Sequence, residues 1–540
     1  MRAMNMKTVI AKTQLLPVLM VAAALLLTAS AYAAAPGITG TSFSLTASAA
    51  YTTQPDGALI YTWGYGCTGA TPPSGGFLPK VGGAGGPDLA NAACPTMQLP
   101  GPTLIVNAGG SFSVTLTNSL PAAAGNTSIL FPGFAVATSG GVGGLLTQEA
   151  AHNGTVMYTV TVPADAGGTH SYYSGTQGDL QVEMGLYGAI IVLPSAVPAA
   201  CDLAPHNSNA AAQVFRGESD FRLAHAAYNH AEACYDREYL FQFSEIDPII
   251  HRNAEEQVSA RSTCTAGTAG CSLNVPTEPY HAVYFLINGR SMPDDMDTNY
   301  APQYAHQPYN GNPHLHPGEL VLLRIIGQGR MQHPFHEHGN HVRILGRDGN
   351  LLLSASNSAL LAGPALFTTT TTPGMAMDGI FYWTGRGLNW DPYGHNPGSS
   401  DASAKLSCTP DLNGYNTGAP TAINYFEWCQ DHNKPLEKNP FGDVASGGPV
   451  TLPDPNIMAL GPWYGGSAYL GPNATVRAVG STGTIPPSGT VANSPTDEAG
   501  FAFMWHSHNE REITTNNIFP GGMMMMMLVD SREFVIDESN

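Results

Sequence analysis

The sequence predicts an all-β protein: two β-sandwich domains carrying long loops. Two observations carry this. Apolar residues alternate with polar ones over short runs: Phe112, Val114 and Leu116 alternate with Ser113, Thr115 and Thr117, the period of a strand buried on one face. Charged residues make up only 11%, while glycine (61) and proline (42) are abundant, as in a chain of many short strands joined by turns. By length the chain holds about two to four domains. A formal net charge of −19, from 21 basic and 40 acidic residues, argues against a nucleic acid or an anionic membrane surface as partner.

Taken in order, the chain opens with Arg2, Lys7 and Lys12 around the start of an apolar run, Leu15 to Leu27, followed by Ala31-Tyr32-Ala33, the small-x-small form of a cleavage site. Residues 1–33 therefore read as a secretory signal. The run is too short to span a bilayer, and no later stretch is long enough. The mature protein is expected in the periplasm, at the cell surface or in the medium. Eight cysteines fall in neighbouring pairs, Cys67/Cys94, Cys201/Cys234, Cys264/Cys271 and Cys408/Cys429, which suits four local disulfides in an oxidising compartment. Thiolate metal ligation is the weaker reading, because no C-x-x-C pair occurs.

The first domain, 34–198, takes strands at Leu59–Tyr65, on both sides of the Gly109-Gly110 turn, at Met157–Val162 and at Gly185–Leu193. Residues 199–236 read as a linker with a short helix at Phe221–Ala233. His225 and His230 are five apart there, on different faces, and are expected to be solvated. The second domain, 237–540, takes strands from Tyr239, Val283 and Gly318, then His341–Arg347 into an Asp348-Gly349 turn, then Thr368, Phe381, Phe501 and Gly521 onward. Residues 385–498 lack periodicity and read as an insertion.

The chemistry concentrates between Met331 and Arg343, where His333, His336, His338 and His341 fall within nine positions. Neutral imidazole is the commonest side-chain metal ligand. Pro334 rules out a helix interior, and on an extended segment His336 and His338 point the same way. His506 and His508 repeat that spacing near the C-terminus. The candidate metal ligands are His336, His338, His506 and His508, with His333 and His341 able to join, and Glu510 or Glu512 able to offer oxygen. Zinc, iron or manganese would suit such donors as well; affinity order favours copper. His314 and His316 have chelating spacing but read as turn surface. The Met523–Met527 run is either a Cu(I) site or, on a strand, core on one face; core is the stronger reading.

His333-Pro-Phe-His-Glu-His-Gly339 resembles the H-P-x-H-x-H-G ligand motif of multicopper oxidases, and His506-Ser507-His508 resembles their H-C-H motif with serine in place of cysteine. Gly101-Pro-Thr-Leu-Ile-Val and Gly185-Leu-Tyr-Gly-Ala-Ile-Ile-Val resemble strands of the family's first cupredoxin domain. The resemblance implies two cupredoxin-like, Greek-key β-sandwiches and bound copper. The departures are specific. Where the family has H-W-H, Leu130 and Pro132 stand in the histidine positions; where it has H-S-H, Tyr173 and Gly175 do. His170 lies nearby, out of register, and reads as surface. Ser507 cannot supply a thiolate, and Glu512 stands where the other type 1 histidine is expected, so His333, the aligned type 1 ligand, has lost its partners. The resemblance then implies one copper, or two, on the surviving histidines, with no blue colour. Two functions follow: a secreted copper-dependent oxidoreductase acting on a small molecule, O₂ or a metal ion, or a non-catalytic copper-binding, storage or structural protein. A homo-oligomer could complete the half-site at an interface.

Overall fold

The computed structural model describes residues 35–68, 94–203, 222–386, 409–418 and 500–536, with short pieces at 77–78, 422, 427–428, 466–469, 475–476, 491–492 and 498. The signal segment, the Cys408/Cys429 pairing and most of 385–498 lie outside the described residues.

The first sandwich is built from β1 (Ser42–Thr53), β2 (Leu59–Cys67), β3 (Gly101–Asn107), β4 (Ser111–Asn118), β5 (Ala135–Gly140), β6 (Thr155–Thr161), β7 (Gly168–Tyr173) and β8 (Tyr187–Leu193). One sheet orders β2-β1-β4-β6-β5; the other holds β7-β8-β3. The β1/β4 and β8/β3 pairings are parallel, so the chain crosses between sheets rather than meandering. Phe43, Leu45, Trp63, Val114 and Tyr158 from one sheet meet Leu104, Tyr172 and Ile190 from the other in a closed core. The expected alternation in β4 is present: Phe112, Val114 and Leu116 are buried.

The second sandwich comprises β9 (Arg237–Ile246), β10 (Tyr284–Ile287), β11 (His314–Leu315), β12 (Leu320–Gly327), β13 (His333–Glu337), β14 (Val342–Arg347), β15 (Thr368–Thr371), β16 (Ala376–Tyr382), β17 (Gly466–Tyr469), β18 (Gly500–Ser507) and β19 (Met524–Asp530). One sheet runs β10-β9-β12-β16-β14, the other β11-β19-β18-β13-β15, with β17 added to β18. Tyr239, Phe241 and Leu323 face Phe335, Phe503, Trp505, Met525 and Met527 across the core. The Asp348-Gly349 turn forms as expected, with φ of +48° and +72°, the left-handed conformations a two-residue hairpin needs.

A helix, α1 (Pro248–Ala260), straps the two halves together. Asp247 caps it by accepting from the Ile249 N–H at 2.9 Å, and Pro248 begins it. Its Ile250 and Ala254 enter the first sandwich's core. The sandwiches also share an apolar seam, where Ile105, Ala189 and Ile191 meet Leu240, Ile326 and Ala376. Beside that seam the buried Asp378 accepts from Thr169 N at 2.9 Å, Thr169 Oγ1 at 2.6 Å and Tyr228 OH at 2.6 Å, and lies 3.4 Å from Arg324 Nη1. Among the described residues, no helix is long and apolar enough to cross a membrane.

Four expectations need correction. Residues 222–233 hold no α-helix, only a 3₁₀ turn at Ala231–Ala233. The Cys201–Cys234 disulfide and the Ala226/Cys234 bridge hold the backbone in another path, and Tyr228 is drawn inward to Asp378. His225 and His230 there are partly buried, and the His230 ring accepts from Glu232 N. His170 is not on the surface: its ring packs 4.6 Å from Phe134 and bonds to the Ala166 carbonyl at 3.1 Å. His314 and His316 are also buried, because both tie β11 to the end of β19. His314 Nδ1 sits 2.7 Å from Asp530 Oδ2, and His316 Nδ1 3.4 Å from the Asp530 carbonyl. The Cys67–Cys94, Cys201–Cys234 and Cys264–Cys271 disulfides are formed as expected.

Candidate metal centre

Strand pairing builds the site. β13 and β18 run antiparallel in the register Phe335 to Ser507, His336 to His506 and Glu337 to Trp505. Opposed residues share a face. Phe335 and Trp505 enter the core, so His336 and His506 stand together on the outer face. His338 joins them: its ring centroid is 4.8 Å from that of His336 and 5.1 Å from that of His506. One ligand nitrogen from each of His336, His338 and His506 lies within 4.8 Å of the others. His508 is exposed at the rim, its ring 4.8 Å from His336.

His506 Nε2 stands 3.3 Å from His338 Nε2. Two nitrogens bound to one first-row ion at about 2.05 Å with a tetrahedral angle stand about 3.3 Å apart. The other ring nitrogens are held. His506 Nδ1–H donates to the Ser507 carbonyl at 2.7 Å, and His336 Nδ1 pairs with Thr368 Oγ1 at 2.8 Å. Such outer partners fix tautomer and ring orientation in metal sites. Burial, with the neighbouring imidazoles, pushes the His336 pKa down to about 4, and burial lowers that of His506. Both are therefore neutral, the form that binds a metal.

His333 is placed elsewhere. With alternate residues on opposite faces, it points inward and is fully buried between two carboxylates, Glu245 Oε2 at 2.9 Å from Nε2 and Glu512 Oε2 at 2.9 Å from Nδ1. Burial alone would lower its pKa; the hydrogen bonds and charges of Glu245 and Glu512 outweigh that and carry it up to about 9. His333 is thus an imidazolium, with both nitrogens committed. Ser507, fully buried, donates to Glu512 Oε2 at 2.5 Å, and Asn509 Nδ2 donates to Glu512 Oε1 at 2.9 Å. Glu245 Oε1 in turn accepts from the Arg330 and Met331 backbone N–H groups at 2.6 and 2.9 Å. A closed carboxylate–imidazolium–carboxylate cluster fills the space beneath the histidines. His341 stands apart, its ring 5.3 Å from Phe367, and Glu510 is exposed.

Three of the four first-sandwich positions lacking histidine, Leu130, Tyr173 and Gly175, are also together. Leu130 and Tyr173 pair through their backbones, and Leu130 packs against Gly175. With Gln328, Arg330 and Gly374 they line a cavity of about 320 Å³ between the sandwiches. None of Leu130, Pro132, Tyr173 and Gly175 offers an imidazole, thiolate or carboxylate.

Sequence reasoning missed Glu245 and Thr368. Glu245 sits next to last in the apolar run Tyr239-Leu-Phe-Gln-Phe-Ser-Glu-Ile, and an acidic residue inside such a run is the signal that could have found it.

One comparison with known proteins agrees with the resemblance over part of the chain. A multicopper oxidase family model matches residues 91–197. No curated protein matches the chain in sequence. Similar solved structures include the multicopper oxidase mgLAC (14% identity, 91% of this chain and 86% of that one, TM-score 0.42). A blue copper oxidase from Nitrosomonas europaea is similar at 14% identity, over 90% and 85% of the two chains, with TM-score 0.41. Fet3p, a multicopper oxidase that functions in iron import, is similar at 17% identity, over 64% and 46%, with TM-score 0.37.

Proposed function

We propose that this divergent member of the multicopper oxidase family, matched by the family model over residues 91–197, holds one copper ion on His336, His338 and His506, with exposed His508 as an outer ligand, and works outside the cytoplasm as an oxidoreductase. The single observation behind this is the convergence of imidazoles on one sheet face, with His338 and His506 nitrogens 3.3 Å apart. A copper ion there would supply one-electron chemistry toward a small molecule, a metal ion or O₂. The chain's part is positional: Thr368 and the Ser507 carbonyl fix the rings of His336 and His506. The core beneath, Phe335 and Trp505, keeps water from the inner side, and the exposed His508 edge leaves an approach from solvent.

A second reading, copper binding without turnover, is favoured by one observation. The buried cluster of Glu245, His333, Glu512 and Ser507 has no thiolate, so no sulfur pathway carries electrons to the imidazoles from that side.

The test is metal content, EPR and visible absorption of the mature protein loaded with Cu(II). One tightly bound Cu(II), a type 2 signal and no strong visible band are expected, with the bound Cu(II) and its signal lost in the His338→Ala, His506→Ala double variant. Copper uptake unchanged in that variant would refute the site. Copper-dependent O₂ consumption abolished by His336→Ala supports the oxidoreductase; tight copper without turnover on any donor supports the second reading.

A further inference from the structure

We infer that the cavity between the two sandwiches is a binding site for a neutral, largely apolar molecule of one or two rings that carries a single N–H or O–H donor. The site stands apart from any bound copper, because the described lining includes none of the candidate metal ligands.

The walls are apolar and come from both sandwiches: Leu130, Tyr173 and Val182 from the first, Pro373 from the second. Glycine shapes them at two points. A Cβ on Gly175 would stand 2.7 Å from Leu130 Cγ, so the leucine occupies the room that a side chain at 175 would take. Gly374, at φ +78°, brings the second sandwich's backbone to the Tyr173 ring; a Cβ there would lie 3.2 Å from Tyr173 Cε1. Leu146 and Gly178 are the exposed members of the lining and mark its mouth. Leu146 is 64% exposed, an apolar surface that a bound ring would cover.

The polar groups in this lining are nearly all committed. Arg330 has its charge met elsewhere: Nη2 donates to Glu278 Oε1 at 2.8 Å, Nη1 donates to the Thr277 carbonyl at 2.9 Å, and the guanidinium lies 4.3 Å from the Tyr280 ring centre. Ser174 Oγ donates to Gln181 Oε1 at 2.7 Å and accepts from the Thr176 N–H at 3.1 Å. Gln328 differs. It is 1% exposed, and its Nε2 gives away both hydrogens. One goes to the Gly188 carbonyl of the first sandwich at 3.0 Å, the other to Gln242 Oε1 of the second at 3.1 Å. The Gly188 carbonyl can only accept, so it fixes which end of the Gln328 amide is nitrogen. Gln328 Oε1 is then the acceptor left for the cavity, with no donor to it among the described residues.

This arrangement selects by chemistry. A buried acceptor without a donor is costly, and a ligand N–H or O–H satisfies it. An ion is disfavoured: the walls are apolar, and Glu278 already balances Arg330. A volume of about 320 Å³ lies at the low end of small-molecule pockets, which sets the size at about one or two rings.

Equilibrium dialysis of the mature protein against indole, with benzothiophene as its isostere lacking the N–H, reads the site. One equivalent of indole is expected to bind saturably, about fivefold more tightly than benzothiophene, the size of one neutral hydrogen bond. Gln328→Met keeps the length of the side chain and removes the acceptor, and is expected to bring the two ligands to parity. Gln328 also ties the sandwiches together. Should that variant fail to fold, Gly178→Phe at the mouth, where a Cβ meets nothing within 4 Å, is expected to lower indole affinity about tenfold by filling the entrance. The His338→Ala, His506→Ala variant is expected to bind indole like the parent, so this site and the imidazole cluster fail independently. No saturable indole binding, equal affinity for indole and benzothiophene in the parent, or undiminished indole binding in Gly178→Phe overturns the inference.

Discussion

Replacing His333 with glutamine tests the buried ionic cluster most directly. The substitution roughly keeps volume and one donor but removes the positive charge from between Glu245 and Glu512. Removing one partner of a buried ion pair costs about 3–5 kcal/mol. Here each carboxylate keeps other donors: Glu245 keeps the Arg330 and Met331 N–H groups, and Glu512 keeps Ser507 and Asn509. The low end, about 3 kcal/mol, is therefore expected. The titration of His333 gives an independent route to the same size: rising from 6.5 to about 9, at 1.36 kcal/mol per pH unit, corresponds to about 3 kcal/mol. Because the folded-state pKa is raised, this stabilisation is complete below pH 6.5 and is lost as pH rises through about 9. Urea unfolding of parent and variant should differ by about 3 kcal/mol at pH 6 and converge by pH 10. A gap under about 1 kcal/mol at pH 6, or one constant across that range, would refute a charged His333. Cu(II) uptake should be unchanged, since His333 faces away from the other histidines; its loss would make His333 a ligand after all.

The remaining expectations concern the same face and the seam. Cu(II) binding should be insensitive to pH from 8 to 5 as far as His336 is concerned and should weaken only as pH falls toward its depressed value of about 4, which equilibrium dialysis across that range would read; onset near 6.5 would show an unperturbed imidazole. Ser507→Cys alone should add no strong visible band, because Glu512 still holds His333, whereas Ser507→Cys with Glu512→His should add one copper and an intense band; a colourless double variant would mean that the remaining cluster cannot open. Asp378→Ala should cost about 3–5 kcal/mol in urea unfolding, since it strips the acceptor from Thr169 and Tyr228 and the partner from Arg324 in a buried seam; a cost under about 1 kcal/mol would show that the apolar seam suffices.

How much was legible in the sequence varied with the kind of signal. Strands with alternating apolar residues, such as β4 and β6, stood out because burial on one face writes a period of two. β1, Ser42–Thr53, did not: it is mostly Ser, Thr and Ala, and its place is set by its ladder to β2, from Leu45 opposite Cys67 to Thr53 opposite Leu59. Tertiary pairing decided there, not local preference. α1 was missed although Asp247-Pro248 is a cap followed by a first-turn proline. Among the histidines, one-apart spacing marked His336/His338 and His506/His508 correctly as face-sharing pairs. Spacing could not show that His333 points inward to Glu245, 88 positions away in sequence. Likewise His170 read as surface and His314 and His316 as turn, because the partners that bury them, Phe134 and Asp530, come from other parts of the chain.

The replacement of the thiolate position follows a physical logic that ties the substitutions together. With serine at 507 the space beneath the outer histidines holds an imidazole, a hydroxyl and buried backbone groups that need a partner to balance them. An apolar filler at position 512 would leave His333 Nδ1 and the Ser507 hydroxyl short of a partner, at about 1–3 kcal/mol each. Glu512 satisfies both with one carboxylate oxygen, and Glu245 takes the other imidazole nitrogen. The positive charge that a metal would supply is then supplied by His333 itself. Ser507 and Glu512 therefore act as a pair with His333, and the cluster holds β13 against β18 with the outer histidines in register. On this argument the ionic cluster stabilises the sandwich beneath the imidazole face without supplying a ligand to it. The expected signature is that Glu512→Gln weakens the fold through His333 yet leaves the His338–His506 copper affinity unchanged in any molecule that remains folded.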